Sequence, residues 1–238
     1  MRASARIVAE RAGDRTVLRV LKGEAPLLPR RTGPGEVHLV GGAAGPLGGD
    51  ELRLEIEVGP GAKLWVRTVA ASIALPGRSG AESVLSMHAV VAEDAFLAFL
   101  PEPIVAAARC RHHNVAVVDL AAGATLIWRE EAVFGRHDEP SGDLRLSTSI
   151  RRASRPWYRS DVAVGPSHVN GPALLGGARV LSTLITTSTL ITTSTSASTS
   201  TSAAAVMELA GGGLVATVLA DEVEQTRKVT DRLVTPAQ

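Results

Sequence analysis

A strand–turn–strand pattern recurs along the first half of the chain and restricts the folds that the chain can adopt. Each copy has an apolar strand end, a short turn, an alanine, and a new strand with a leucine two positions after the alanine. The copies begin at Val58, Val91 and Leu120, which are 33 and 29 residues apart. A period of about 30 residues built from strands predicts stacked β layers, as in a solenoid. An ordinary β-sandwich whose hairpins share turn chemistry stays open as the alternative.

A glycine-rich loop precedes the first copy. Five glycines lie between Gly41 and Gly49, and Asp50 ends the loop. Loops that bind phosphate lead into a helix and usually contain a lysine. Here the loop has no lysine, and residues 51–58 alternate apolar and charged side chains, which predicts a strand. We therefore interpret the glycines as allowing a tight backbone path. A nucleotide-binding enzyme is a further alternative, and this loop is the only feature that would support it.

Composition narrows the class of protein. A length of 238 residues allows a substantial core, and 23 glycines and 13 prolines suit short strands joined by turns. The formal charge of +1 and the aromatic content of 3% argue against nucleic-acid binding. The single Cys110 excludes an internal disulfide and fits a reducing compartment. Because we find neither a signal-peptide pattern nor an apolar run of roughly 20 residues, we expect a soluble cytoplasmic protein without a membrane segment.

The last third of the chain differs in composition. A low-complexity Ser/Thr tract covers about residues 182–205, within what we expect to be a single domain over residues 1–238. Its first part is β-branched enough to form a strand, whereas residues 194–202 are expected to be mobile. A further strand is predicted from Leu214 to Leu219.

Helical patterns are few. Residues 102–109, with Pro103 at the first position, could form a short helical turn. Asp221 can cap a helix in which Val223, Thr226 and Thr230 share one side.

The segment Cys110-Arg-His112-His113 is the clearest candidate for a metal site. On a strand, Cys110 and His112 share a face while His113 points the other way. At most two ligands therefore converge, whereas a structural zinc site needs four. We favour an ordinary strand with a polar pair, and a transient contact with a soft divalent ion stays open.

Two adjacent carboxylates, Glu130 and Glu131, follow the third copy of the repeat. Paired carboxylates can act as acid and base in glycoside hydrolysis. Adjacent strand residues face opposite ways, so each of these would need a distant partner such as Asp50 or Asp143. We expect a solvated strand end in which Arg136 pairs locally with an acid.

A basic run with two aromatic residues extends from Arg151 to Arg159. Taken alone, this composition is typical of an RNA or phosphate surface. The run lies in a strand–turn–strand context in which Arg155-Pro156-Trp157 resembles a turn. We therefore favour a charged hairpin face.

Taken in order, these segments resemble the UreD family (UreH in some organisms) of urease accessory proteins. The resemblance covers roughly residues 5–232 and depends on the order and spacing of motifs that are each weak. The matching segments are Gly48-Gly49-Asp50, Val58-Gly-Pro-Gly61-Ala62, the segment from Leu97 through Pro101 to Ile104, Gly135-Arg136, Gly142-Asp143, Arg155-Pro156-Trp157 with Asp161, and Leu214 to Asp221.

The resemblance implies a mainly β protein, an elongated right-handed β-helix-like stack of strands with about two α-helices. It also implies a non-enzymatic scaffold that binds UreF and UreG and docks on the urease apoprotein, with nickel passing transiently and no permanently bound cofactor. Isolated carboxylates suit such a passage better than a four-ligand cage. The expected passage residues are Asp50, Glu131 and Asp143, with His112 and Cys110 as weaker metal candidates. The residues expected to be structural are Gly48, Gly49, Gly61, Pro101, Gly135 and Arg136.

A protein of a different class stays open as the alternative. The repeat and the scattered carboxylates also fit a carbohydrate-active or carbohydrate-binding β-solenoid. This alternative predicts saccharide binding and a secretion signal. The missing signal-peptide pattern and the content of only three tryptophans weigh mildly against it.

Overall fold

The structure, a computed structural model, describes residues 1–168, 175–188, 198–199 and 202–233. In chain order, the first strands are β1 (Arg2–Ala12), β2 (Arg15–Gly23), β3 (Leu27–Gly33), β4 (Glu36–Gly41), β5 (Glu51–Val58), β6 (Lys63–Thr68), β7 (Ser72–Ala74), β8 (Ser83–Val91) and β9 (Phe96–Leu100). They are followed by β10 (Ile104–Ala106), β11 (Arg111–Leu120), β12 (Thr125–Phe134), β13 (Asp143–Arg152), β14 (Arg155–Val164), β15 (Val180–Thr186), β16 (Ser198–Thr199), β17 (Ser202–Glu208) and β18 (Leu214–Ala220). The helix α1 (Val223–Leu233) follows the last strand.

The strands form a β-solenoid of about four coils, which confirms the expected mainly β stack. One sheet has the order β14-β13-β11-β8-β5-β1-β2, with parallel pairing from β1 to β13. The second sheet has the order β16-β17-β18-β15-β12-β9-β6-β4-β3, with parallel pairing from β4 to β12. The short strands β7 and β10 pair with each other, and β10 also pairs with the end of β12. Of the two helices that the resemblance implies, α1 lies in the described residues.

The recurring turn that the sequence predicts joins the two sheets in successive coils. The three alanines of the pattern are at most 2% exposed, so a larger side chain has no room: Ala62, Ala95 and Ala124. The residue before each alanine has a positive φ, which glycine adopts freely and aspartate tolerates. These φ values are 62° at Gly61, 53° at Asp94 and 72° at Gly123.

Successive coils place apolar side chains in register above one another. Leu64, Leu97 and Leu126 are direct partners across β6, β9 and β12, and all three are fully buried. Two positions further along, the rings of Phe99 and Trp128 stack with their centroids 4.3 Å apart. A matching series on the first sheet faces them: Ile7, Ile56, Ala89, Val118 and Ile150. Burial of these ladders between the two sheets is the main stabilising term of the fold.

Some local predictions were confirmed and others were wrong. The strands predicted after the glycine-rich loop and from Leu214 are β5 and β18. The predicted helical turn at residues 102–109 is wrong, because residues 104–106 pair as β10 with β7 and β12. The basic run is the hairpin β13–β14 as expected, but its turn is at Ala153 and Ser154 and not at Arg155-Pro156-Trp157.

The Ser/Thr tract is only partly covered by the structure. Its start belongs to β15 and its end to β17, which confirms the expected strand at residues 182–186. The expectation of mobility at residues 194–202 falls mostly outside the described residues.

We expect Leu97→Ala to lower the free energy of unfolding by about 2–5 kcal/mol, because it removes the middle member of a fully buried ladder. Urea denaturation followed by circular dichroism measures this change. Val90→Ala, on the exposed side of β8, is the control and should change stability by no more than about 0.5 kcal/mol. Equal effects of the two substitutions would contradict the ladder as the stabilising core.

Candidate functional site

A cavity of about 420 Å³ lies between the two sheets and reaches the surface. Its inner wall carries buried apolar side chains such as Leu54, Met87 and Phe99. Its mouth is formed by residues 43–46, of which Ala43 and Ala44 are exposed, and by the exposed residues 69–73. A mostly apolar cavity with a few convergent polar groups is the usual form of a binding site in a protein. The polar residues that line it are Thr68, Ser72, Glu102, His112, Asn114, Arg129, Glu130 and Glu131.

His112 is fixed inside the cavity by hydrogen bonds to both ring nitrogens. It lies on the inward face of β11 and is 1% exposed. Its Nδ1 is 2.8 Å from the Ser83 hydroxyl, and its Nε2 is 2.8 Å from Oδ1 of Asn114. Burial lowers the pKa of His112 to about 4, so the ring is neutral near pH 7. His113 points to the outer face, where its Nε2 is 2.8 Å from the Ser147 hydroxyl, as the strand periodicity predicts.

Glu130 continues the inward face of β12 after Leu126 and Trp128. Its carboxyl group accepts a hydrogen bond from the Thr148 hydroxyl on β13. Burial raises the pKa of Glu130, and the Thr148 bond partly opposes that rise. An acidic side chain with a raised pKa inside a cavity is a candidate for binding or proton transfer.

Glu131 faces the opposite side of β12, where α1 covers it. Its carboxylate accepts hydrogen bonds from the Thr226 hydroxyl at 2.8 Å and from the Arg227 guanidinium at 2.8 and 3.1 Å. Arg227 also donates to Glu102 at 2.9 Å. The side chain of Glu131 has no exposed surface. The prediction of a solvated strand end at residues 130–131 is therefore wrong, because one carboxylate enters the cavity and the other lies under a helix.

Arg129 completes the cluster beneath α1. Its side chain is only 6% exposed and lies 3.2 Å from the Asp231 carboxylate. It also donates to the Pro101 carbonyl at 3.3 Å. Burial lowers the pKa of the Arg129 guanidinium, and the nearby Glu131 carboxylate counteracts that effect.

Asp50 supports the loop at the cavity mouth. Its carboxylate accepts a hydrogen bond from the Leu47 backbone N–H at 2.9 Å and another from the Met1 amino group at 2.8 Å. Gly48 passes so close to the next coil that a Cβ would lie 2.5 Å from the Gly77 nitrogen. The tight backbone path expected for this loop is confirmed at Gly48, and the strand β5 that follows cannot supply the helix N-terminus of a phosphate site.

Asp143 and Cys110 lie one coil away, outside the cavity lining. Asp143 accepts hydrogen bonds from the backbone N–H and the hydroxyl of Ser167 at 2.8 and 2.7 Å. The Cys110 thiol is 3.8 Å from the Asp143 carbonyl oxygen. Burial and the Asp143 carboxylate raise the pKa of Cys110 to about 11, so the thiol is protonated near pH 7.

The remaining motif residues have structural contacts. Gly61 is in the recurring turn, and Pro101 accepts the Arg129 hydrogen bond. Gly135 has a φ of 85°, and Arg136 pairs with Glu139 at 2.6 and 2.8 Å, which confirms the expected local ion pair.

The structure thus brings some predicted site residues together and separates others. Both His112 and Glu131 border the cavity, but His112 does so from the inward face of β11 and Glu131 from the corner beneath α1. Asp50 lies behind the cavity mouth, and Asp143 with Cys110 lies beyond the cavity. In the described residues, no hydrogen bond or ion pair joins any two of the three predicted carboxylates. In the same residues, no three His, Cys, Asp or Glu side chains are grouped so that they could hold a metal ion.

Sequence reasoning did not include Glu130, Glu102 and Asn114 among the site residues. A pattern for two of them was present. Glu130 follows the apolar inward residues Leu126 and Trp128, and Asn114 precedes the apolar inward residues of β11. The position of Glu102 depends on α1, which is distant in sequence and could not be placed from local patterns.

A family model described as UreD urease accessory protein matches residues 1–238. A "Urease accessory protein UreD" of Parafrankia sp. (strain EAN1pec) is 44% identical over 174 residues, which is 70% of this chain and 59% of that relative. The chain therefore spans less than two thirds of the length of that relative. A protein of the same name from Streptomyces coelicolor is 38% identical over 240 residues, covering 97% of this chain and 94% of the relative. "Urease accessory protein UreD 3" of Streptomyces griseus is 41% identical over 179 residues, or 72% and 70% of the two chains.

We expect the buried neutral His112 to make stability depend on pH. Its pKa is about 4 in the folded protein and 6.5 in its ordinary state, so the unfolded chain binds the proton more readily. The stability contributed by the neutral ring is present above pH 6.5 and is lost as the pH falls toward 4. Between pH 7.5 and 5, the wild type should lose about 2 kcal/mol more than His112→Gln.

Urea denaturation at the two pH values measures this difference. His137→Gln is the matched control, because that side chain is 92% exposed. A wild-type pH profile that His112→Gln leaves unchanged would contradict the buried neutral imidazole.

Proposed function

Because the chain belongs to the UreD family of urease accessory proteins, we propose that it acts as a non-catalytic scaffold in urease maturation. In this proposal it binds UreF and UreG, docks on the urease apoprotein in the cytoplasm, and lets nickel pass to the urease active site. Nickel is a transient cargo and not a resident cofactor. The observation that carries the proposal is the whole-chain family match, together with a cavity lined in part by carboxylate and imidazole side chains.

The cavity supports the passage of a cation. Carboxylate and imidazole side chains border it: His112 and Glu130 lie on inward strand faces, and Glu102 and Glu131 lie at the corner where β9 leads into β10. Such groups bind divalent ions, and scattered single ligands release them more readily than a closed set of four does. His112 is neutral near pH 7, as a metal ligand must be, although its two hydrogen bonds would have to open first.

The mouth of the cavity supports contact with another protein. Leu47, Val69 and Ile73 are all exposed, and they lie in or beside the two segments that form the mouth. Exposed apolar side chains that are grouped in this way are typical of protein–protein contacts. A partner seated there would separate the passing ion from bulk solvent. Among the described residues there is no helix with the length and apolar content of a membrane span.

We expect the chain to copurify with UreF, UreG and urease subunits when they are expressed together. Its presence should be required for nickel-dependent urea hydrolysis by the resulting complex. Affinity purification through a tag on this chain, followed by a urease assay with and without added nickel, measures both effects. Urease activation that proceeds normally without this chain would refute the scaffold.

We expect Asp50→Ala to lower urease activation without abolishing folding. The substitution removes the hydrogen bonds that Asp50 accepts from Leu47 and Met1, so the loop at the cavity mouth loses its support. Asp14→Ala, in the exposed β1–β2 turn, is the matched control. If the Asp50→Ala variant activates urease as well as the wild type does, the glycines and Asp50 have only a structural role in the loop.

The substitution Glu130→Gln tests the interior of the cavity separately from its mouth. The amide has the size of the carboxyl group and keeps an oxygen for the Thr148 hydroxyl, so the fold should persist. Activation should fall on the order of tenfold, because an amide binds a divalent ion more weakly than a carboxylate does. Circular dichroism checks the fold and the urease assay checks activation; full activation by this variant would remove Glu130 from the route.

A further inference from the structure

The lining of the cavity extends to the corner where β9 leads into β10, which we call its outer end. Pro101, Glu102, Arg129 and Glu131 line this end. Three of them also contact α1, since Arg227 pairs with Glu102 and Glu131 while Asp231 pairs with Arg129. The outer end of the cavity is therefore bounded by the same side chains that hold the helix in place.

The helix is attached mainly through charges and hydroxyl groups. Its two fully buried side chains are Thr226 and Thr230, and neither supplies a large apolar surface. Leu233 packs on the outer apolar cluster of the second sheet from a half-buried position. Because apolar burial contributes little here, the ion pairs of Arg227 and Arg129 carry much of the attachment.

Arg227 holds two carboxylates that belong to different parts of the chain. One guanidinium contacts Glu131 on β12 and Glu102 in the segment between β9 and β10. The cluster contains three carboxylates but only two guanidiniums: Glu102, Glu131 and Asp231 against Arg129 and Arg227. A divalent cation near Glu102 and Glu131 would compete directly with the Arg227 guanidinium, because both need the same oxygen atoms.

We propose that α1 is a latch over the outer end of the cavity, closed by the pairing of Arg227 with Glu131 and Glu102 and opened when a divalent cation takes those two carboxylates. The latch rests on the proposed passage of a divalent ion through the cavity. Closed, it keeps the outer end sealed and the carboxylates neutralised. Open, it lets an ion that has reached the corner leave the cavity. Cation binding and latch opening are thermodynamically linked. A cation that binds better to the open state therefore binds more tightly when a substitution weakens the latch.

Hydrogen exchange of the α1 amides, measured by mass spectrometry on the full chain with and without nickel chloride, tests the latch. We expect nickel to speed exchange in α1 by about tenfold while the strands of the central coils stay protected. Arg227→Ala should show fast exchange in α1 even without nickel. Lys228→Ala is the matched control, because it removes the exposed Lys228–Glu224 pair from the same helix without touching the sheet.

Glu102→Gln keeps the test decisive if Arg227→Ala fails to fold. Glu102 is half-buried, and its substitution leaves the Glu131–Arg227 pair intact. Without nickel, the α1 amides of this variant should therefore be protected about as well as in the wild type, and nickel should speed their exchange less. If nickel does not change the exchange of the α1 amides in the wild type, the latch proposal is wrong and α1 has only a structural role. Since the experiment uses the isolated chain, that outcome leaves the scaffold proposal standing. A failed copurification would instead refute the scaffold whatever the exchange data show.

Discussion

The in-register stacking of parallel strands is the constraint on which the rest of the structure depends. Each coil satisfies its backbone hydrogen bonds with the coils on either side, so side chains at equivalent positions lie directly above one another. Leu64, Leu97 and Leu126 form one buried ladder as a result. A shift of one residue in any coil would exchange its inward and outward faces, and the repeated turn with its buried alanine prevents that shift.

The cavity follows from the same stacking. Near the turns the inward positions are filled by leucine, isoleucine and valine, which close the space between the sheets. Farther along the strands His112, Asn114 and Glu130 occupy inward positions, and the sheets enclose an open volume there. Each of these polar groups has a hydrogen-bond partner on the same or a neighbouring coil, which offsets the cost of burying it. A rigid solenoid thereby holds polar groups in an apolar interior.

The helix adds a different kind of interaction. Arg227 reaches Glu131 across 96 residues of sequence and Glu102 across 125. Only the Glu131 carboxylate in this network is fully buried, so loss of the Arg227 guanidinium would leave that charge without its ion-pair partner. The largest buried apolar cluster contains no residue of α1, and of the helix only Leu233 packs on the outer cluster of the second sheet.

The sequence by itself determined the repeating unit, the bounds of β5, the family, and the opposite orientations of Glu130 and Glu131, because these depend on local periodicity and motif order. It also indicated that the glycine-rich loop was not a phosphate site, since a strand follows it. Only the tertiary structure decided that residues 104–106 pair as a strand, that Glu130 enters a cavity and that Glu131 lies under α1. Those outcomes depend on contacts between segments far apart in the chain, and local patterns carry no information about which distant side chain covers a given face.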